Sequence, residues 1–279
     1  MIRAVQSIVY HGISATPAPG LTVELLARVP YSARDNPQRA SLGMALERQA
    51  GVHAIGSDRR MDFDTWMGTM SFTPPGMDVF SESATGGEYL VVRWDAAHGD
   101  DAQAQPSRPQ RTAPPALLQQ ALALRALLAR GAPAAQIQER VQLLLVGLDA
   151  LQAPARTAQA LADLRPLYAR VLERIDDEIG HPDEDLSLAA LSASVQHTPL
   201  AFLRHFKQLT GMTPHAYVNE RRLQRARHLL HAPHDTLADV ASAAGYASQS
   251  HMGTAVQRAF GLTPARYRAR SGSDHHAPT

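Results

Sequence analysis

The 279-residue chain contains no cysteine. That excludes a disulfide framework, a thiolate metal site and a cysteine nucleophile. Lysine is almost as scarce: Lys207 is the only one, so arginine serves nearly every basic role. No run approaches the roughly 18 apolar residues of a membrane span. The start, MIRAVQSIVYHGISATPAPG, lacks the charged-then-apolar layout of a signal peptide. A soluble, cytoplasmic protein without a membrane partner is the expectation. HExxH, GxSxG, the P-loop and the dinucleotide fingerprint are all missing. The 13 histidines show no pair with a nearby carboxylate at a known ligand spacing. No catalytic residue, metal or cofactor is therefore expected, and the chain reads as a non-enzyme.

What is present divides unevenly. At 44% hydrophobic and 19% charged residues, the chain can pack cores, and its length calls for two domains. The net charge of +1 conceals −3 over residues 1–100, −2 over residues 101–185 and +7 over residues 186–270. A basic third joined to a mildly acidic remainder suits a polyanion-binding module attached to a module for something else.

Residues 1–97 carry short apolar-rich runs, LTVELLARV (21–29), LGMALERQ (42–49), MGTMSF (67–72) and EYLVVRW (88–94), separated by turn signals. Pro75 and Gly76 fit the centre of a type II turn. This pattern predicts a β-rich sandwich or barrel. Residues 98–115 are polar and proline-rich, as in a linker. Over residues 116–165 the period becomes helical: Leu117, Ala121, Leu124 and Leu128, then Ile137, Val141, Leu144, Leu148 and Leu151. These stripes describe a helical hairpin, either internal core or the seam of a homodimer. Pro166 marks a boundary to a domain over 167–270, and 271–279 forms a disordered tail.

The basic third contains a duplication. TPLAFLRHFKQLTGMTPHAY from Thr198 and SQSHMGTAVQRAFGLTPARY from Ser248 align at a fixed offset of 50. Gly211, Thr213, Pro214 and Tyr217 recur as Gly261, Thr263, Pro264 and Tyr267. Thr198 and Ser248 suit N-caps, and Gly211 and Gly261 suit left-handed helix ends. Each copy follows a short amphipathic stretch, the second opened by Thr236 and Asp239 as a capping box. Two short helices with a tight turn and a polar outer face describe a helix-turn-helix, here in tandem.

The segment from about residue 167 to 270 resembles the DNA-binding domain of the AraC/XylS transcription regulators. The landmarks are SLAALS (187–192), FLRHFKQLTGMTPHAYVNERRLQRARHLL (202–230), DVASAAGYASQS (239–250) and RAFGLTPARYR (258–268). The resemblance implies an all-α domain of seven helices, with two recognition helices entering successive major-groove segments of double-stranded DNA. The implied base-facing positions of the first helix are Leu200, Ala201, Leu203 and Arg204, with Lys207 alongside. Those of the second are Gln249, Ser250, His251, Gly253 and Thr254, with Arg258 near its end. Arg204 could bond guanine bidentately, Leu200 and Leu203 could meet thymine methyls, and Gln249 could pair with adenine. Gln196 stands where the family commonly has glycine. Arg221, Arg222, Arg225 and Arg227 on the joining helix suit phosphate positioning or surface salt bridges.

The family's N-terminal domain is commonly a cupin-like barrel that binds an effector, followed by dimerising helices. The order of elements here is similar, which gives an α+β fold class of two domains. Trp66, Phe72, Tyr89, Arg93 and Trp94 are the candidates for an effector pocket, with barrel core as their other use. The reading is a DNA-binding transcription regulator, activator or repressor, with a small-molecule effector, RNA polymerase and a second copy as partners. A cupin-type enzyme with an appended helical domain, and a helical interaction module without DNA affinity, are the alternatives.

Overall fold

The computed structural model describes residues 12–35, 38–95, 108–148, 158–181, 184–231 and 235–273. The chain forms two compact units, Met1–Pro154 and Ala155–Thr279.

The first unit holds strands β1 (Gly12–Ala18), β2 (Leu21–Leu26), β3 (Tyr31–Asp35), β4 (Ala40–Ala45), β5 (Gln49–Ile55), β6 (Met61–Thr65), β7 (Thr69–Thr73), β8 (Val79–Ser83), β9 (Tyr89–Trp94) and β10 (Gln110–Thr112). They build two antiparallel sheets, one in the order β1-β2-β9-β4-β7-β10, the other β3-β8-β5-β6. Alternation along the strands gives the six-stranded sheet two unlike faces. Leu42, Met44, Met70, Leu90 and Val92 on one face are fully buried. Ser41, Gly43, Ser71, Thr73, Tyr89 and Arg93 on the other line a cavity shared with the four-stranded sheet. The predicted turn is present: Gly76 has φ 78°, and Met77 N donates to Pro74 O at 3.4 Å.

Helices α1 (Pro115–Arg130) and α2 (Ala134–Leu145) pack on each other and contact β1. Ala121, Leu124, Leu128, Ile137, Val141 and Leu144 are buried, so the hairpin stripes are core of this unit, while Leu151 lies outside the described residues. A buried ion pair, Arg125 Nη1 to Glu88 Oε2 at 3.2 Å, ties α1 to the start of β9. Part of the expected linker is structured: Gln110–Thr112 is strand β10, paired with β7, and α1 begins at Pro115. The edge of β7 offers free backbone groups, and satisfying them outweighs the linker-like composition. Residues 98–107 of that linker lie outside the described residues.

The second unit comprises α3 (Ala158–Glu178), α4 (Leu188–Ser194), α5 (Pro199–Thr210), α6 (Pro214–Leu230), α7 (Leu237–Ala243), α8 (Gln249–Phe260) and α9 (Pro264–Ser273). The boundary expected at Pro166 is not there, because α3 runs through that proline. An interior proline costs a helix about 3 kcal/mol. Burying Tyr168, Val171, Leu172 and Ile175 just beyond it offsets that cost. Helix α9 includes residues 271–273 of the expected tail, and 274–279 lie outside the described residues. Among the described residues no helix is long and apolar enough to cross a membrane.

Candidate nucleic-acid interface

The pairs α4–α5 and α7–α8 are joined by turns with the same hydrogen bonds. Gln196 N donates to Ala193 O at 3.0 Å and His197 N to Ser192 O at 3.1 Å; Gly245 N and Tyr246 N repeat this towards Ser242 O and Ala241 O, both at 2.9 Å. Thr198 Oγ1 caps α5 by accepting from Ala201 N at 3.3 Å, and Ser248 Oγ caps α8 from His251 N at 3.1 Å. The Thr236–Asp239 capping box opens α7. Gly211 and Gly261 end α5 and α8 with φ 74° and 69°. Phe202, Phe206 and Leu209 of α5 face inward, as do Met252, Val256 and Phe260 of α8.

The inner face of α5 rests on Tyr168 of α3. The two rings of Tyr168 and Phe202 stack at 5.4 Å, and the Tyr168 hydroxyl lies 3.0 Å from His197 Nδ1. Burial pushes the Tyr168 phenol up to about 12. Burial also lowers the pKa of His205, with the charge of Arg204 and the neighbouring His197 acting in the same direction.

The arginines of α6 are largely structural. Arg221 Nε donates to Asp176 Oδ1 of α3 at 2.6 Å, and Arg225 Nε donates to Ala243 O at the end of α7 at 2.7 Å. Arg227 is buried, donates from Nε to the Tyr267 hydroxyl at 2.9 Å, and stacks its guanidinium 5.0 Å from the Phe260 ring centre. These bonds hold α6 against the helices on either side of it.

Residues 191–270 match the family model described as a helix-turn-helix domain. The chain is 32% identical over 98 residues to the HTH-type transcriptional regulator MtrA of Neisseria gonorrhoeae, over 35% of this chain and 33% of that protein. It is 31% identical over 121 residues to the probable transcriptional regulator LumQ of Photobacterium leiognathi, over 43% of this chain and 49% of that one. Residues 191–270, within the second unit, are therefore a helix-turn-helix domain. Among solved structures, a transcriptional regulator (AraC-type DNA-binding domain-containing proteins) from Chromobacterium violaceum is 28% identical, with a TM-score of 0.36, over 39% of this chain and 96% of that chain. The chain thus spans between a third and a half of the length of the two curated relatives.

Within this helix-turn-helix domain, the expected base-facing residues lie on the outer faces of α5 and α8. Leu200 is 77% exposed, and Arg204 and Lys207 are exposed beside it, with Ala201 and Leu203 half-buried at the flank. On α8, Gln249, Ser250, His251, Thr254 and Arg258 are exposed and Gly253 is half-buried, with open space where a Cβ would stand. The Thr254 hydroxyl already donates to Ser250 O at 3.0 Å. Two exposed residues were missed: Gln208 and Gln257. The repeat offset could have found them, since it aligns Lys207 with Gln257 and Gln208 with Arg258.

The first unit contains a second candidate site, a cavity of about 530 Å³ between its sheets. Tyr89 and Arg93 line it; Trp66, Phe72 and Trp94 do not. Trp66 is buried elsewhere, its Nε1 donating to Asp64 Oδ2 at 2.7 Å. Phe72 and Trp94 fall on the opposite face of the six-stranded sheet by strand parity, their rings 6.1 Å apart. Tyr89 Oη lies 2.8 Å from Ser71 Oγ, and Gly43 makes room for it: a Cβ there would stand 2.1 Å from the phenol oxygen. On the four-stranded sheet the Tyr31 hydroxyl reaches Ser81 Oγ at 3.2 Å and donates to Gln49 Oε1 at 3.3 Å. His53 stacks on Phe63 at 5.3 Å. Tyr31, His53, Phe63 and Arg108 were not among the expected lining residues, because in sequence they resemble any solvent-facing strand or linker position. Among the described residues no group of three or more His, Asp or Glu side chains is placed to hold a metal ion.

Proposed function

We propose that the protein is a sequence-specific DNA-binding transcription regulator, not an enzyme, and that a small molecule modulates it. In this reading α5 and α8 enter two adjacent major-groove segments, and the cavity between the two sheets serves as a cupin-like effector site. The observation that carries it is the pair of equivalent helix-turn-helix units with outward polar faces, in a segment of charge +7. The exposed Leu200, Arg204 and Lys207 suit base edges and phosphates at the first half-site. α8 presents Gly253 and a hydroxyl already bonded within the helix, so backbone anchoring and DNA shape suit the second. A homodimer fits the exposed apolar side chains of α2 and the turn after it, Leu143 and Val146. Contact with RNA polymerase, and activation or repression, would follow from where the site lies in a promoter.

Gel-shift titrations with upstream genomic fragments over a range of salt test this. Expected is binding whose log affinity falls linearly with log salt. Arg204→Ala should cost about 1–3 kcal/mol and relax base preference at one or two positions. Thr254→Ala should cost less than about 1 kcal/mol. Absence of salt-sensitive binding, with and without candidate effectors, would overturn the reading; a larger specificity loss in Thr254→Ala would reverse the roles of the helices.

A further inference from the structure

The cavity of the first unit has an uneven charge balance. Two of its guanidiniums are neutralised: Arg93 by Glu24, and Arg34 by Asp58 and Asp78 at 3.0 and 3.1 Å. Arg108 is different. Its Nε donates to Thr73 Oγ1 at 2.9 Å and its Nη2 to Ser71 Oγ at 3.2 Å, and among the described residues it has no carboxylate partner. A guanidinium carries five donors and a permanent charge, so two neutral hydroxyls leave the charge uncompensated and donors unused. A half-buried charge with no counter-ion among the described residues is costly, so an anion gains at this point of the cavity.

The neighbouring titratable groups do not change that balance. Burial, reinforced by Arg108, holds His53 below its ordinary value, so it is neutral at pH 7 and adds no second cation. Burial raises Tyr31, which stays a neutral phenol and supplies no anion. If the Ser71 hydroxyl donates its hydrogen bond to Tyr89 Oη, the Tyr89 hydroxyl is left to donate to a ligand oxygen. Much of the remaining wall is apolar, including Leu26, Phe63, Val79 and Val91. The cavity volume falls within the roughly 300–1,000 Å³ of small-molecule sites.

We propose that the cavity binds a small organic monocarboxylate, its carboxylate paired with Arg108 and its apolar body against Phe63, Val79 and Val91. The proposal rests on the effector reading and gives it a ligand class. A guanidinium with no carboxylate partner among the described residues matches one negative charge bidentately, whereas a phosphate dianion calls for more cations and a neutral sugar leaves the charge unanswered.

Calorimetric titration of the full chain with phenylacetate and octanoate, each beside its primary amide, tests it. The acids should bind at least about tenfold tighter than the amides, because only they form a charge-assisted pair. Arg108→Gln should abolish that gap while leaving amide affinity within about twofold. Arg108→Lys should retain part of the acid preference. The gap in the unchanged protein needs no variant, and decides alone if Arg108→Gln fails to fold. Amides binding as tightly as acids, or a gap that survives Arg108→Gln, would overturn the proposal and leave the effector reading standing. Binding of neither acids nor amides would overturn both.

Discussion

Gln196 holds a left-handed backbone conformation, φ 56°, and is the only described residue other than glycine to do so. Its counterpart in the second unit is Gly245, at φ 78° with the same turn hydrogen bonds. A side chain in this region costs about 1–2 kcal/mol, which glycine avoids. Gln196→Gly should therefore stabilise the second unit by about 1 kcal/mol, less whatever glycine adds to unfolded-state entropy. Urea midpoints of the two proteins check this. Tyr168 gives a pH dependence of definite sign. Its phenol ionises near 10 in the unfolded chain but only at about 12 in the folded one, because burial disfavours the anion. The unfolded state then binds fewer protons above pH 10, so stability is full below about pH 10 and falls as pH rises towards about 12. Burial shifts Tyr246 in the same direction. Tyr168→Phe should flatten part of this alkaline decline in denaturation midpoints taken across that range.

At the scale of elements, α2 distinguishes core from free surface. Leu144 is 1% exposed, whereas Val146, just beyond the helix end, is 76% exposed. Leu144→Glu buries an unpaired charge in the hairpin, and a loss of more than about 3 kcal/mol is expected. Val146→Glu should stay within about 0.5 kcal/mol. Sedimentation of Val146→Glu then reports on a dimer without confusing dissociation with unfolding, which substitution at Leu144 could not do. The helices were legible because their stripes, caps and terminal glycines repeat with a period that local geometry imposes. The strands β3, β6 and β8 were not, since Arg34, Asp62, Asp64 and Glu82 give them the composition of loops. Helix α3 was cut short at Pro166 because the proline rule is local and the burial of Tyr168 is not.

At the scale of the molecule, each compact unit encloses its own core. Arg125→Met removes the buried guanidinium partner of Glu88 in the first, at a cost of about 3–5 kcal/mol. Tyr168→Ala removes an aromatic ring from the second, at about 3–5 kcal/mol. Each should lower the thermal transition of its own unit in calorimetry and leave the other in place. The sequence by itself determined the tandem helix-turn-helix. Thr198, Ser248, Gly211 and Gly261 act on backbone within a few residues, and the offset of 50 states the same solution twice. Only the tertiary structure decided the cavity. It required β9 to pair between β2 and β4, and β10 to close on β7, bringing Arg108 to Ser71 and Ser71 to Tyr89 across the chain. Period-two alternation shows that a strand has two unlike faces, but a polar residue looks the same whether its face meets water or a second sheet.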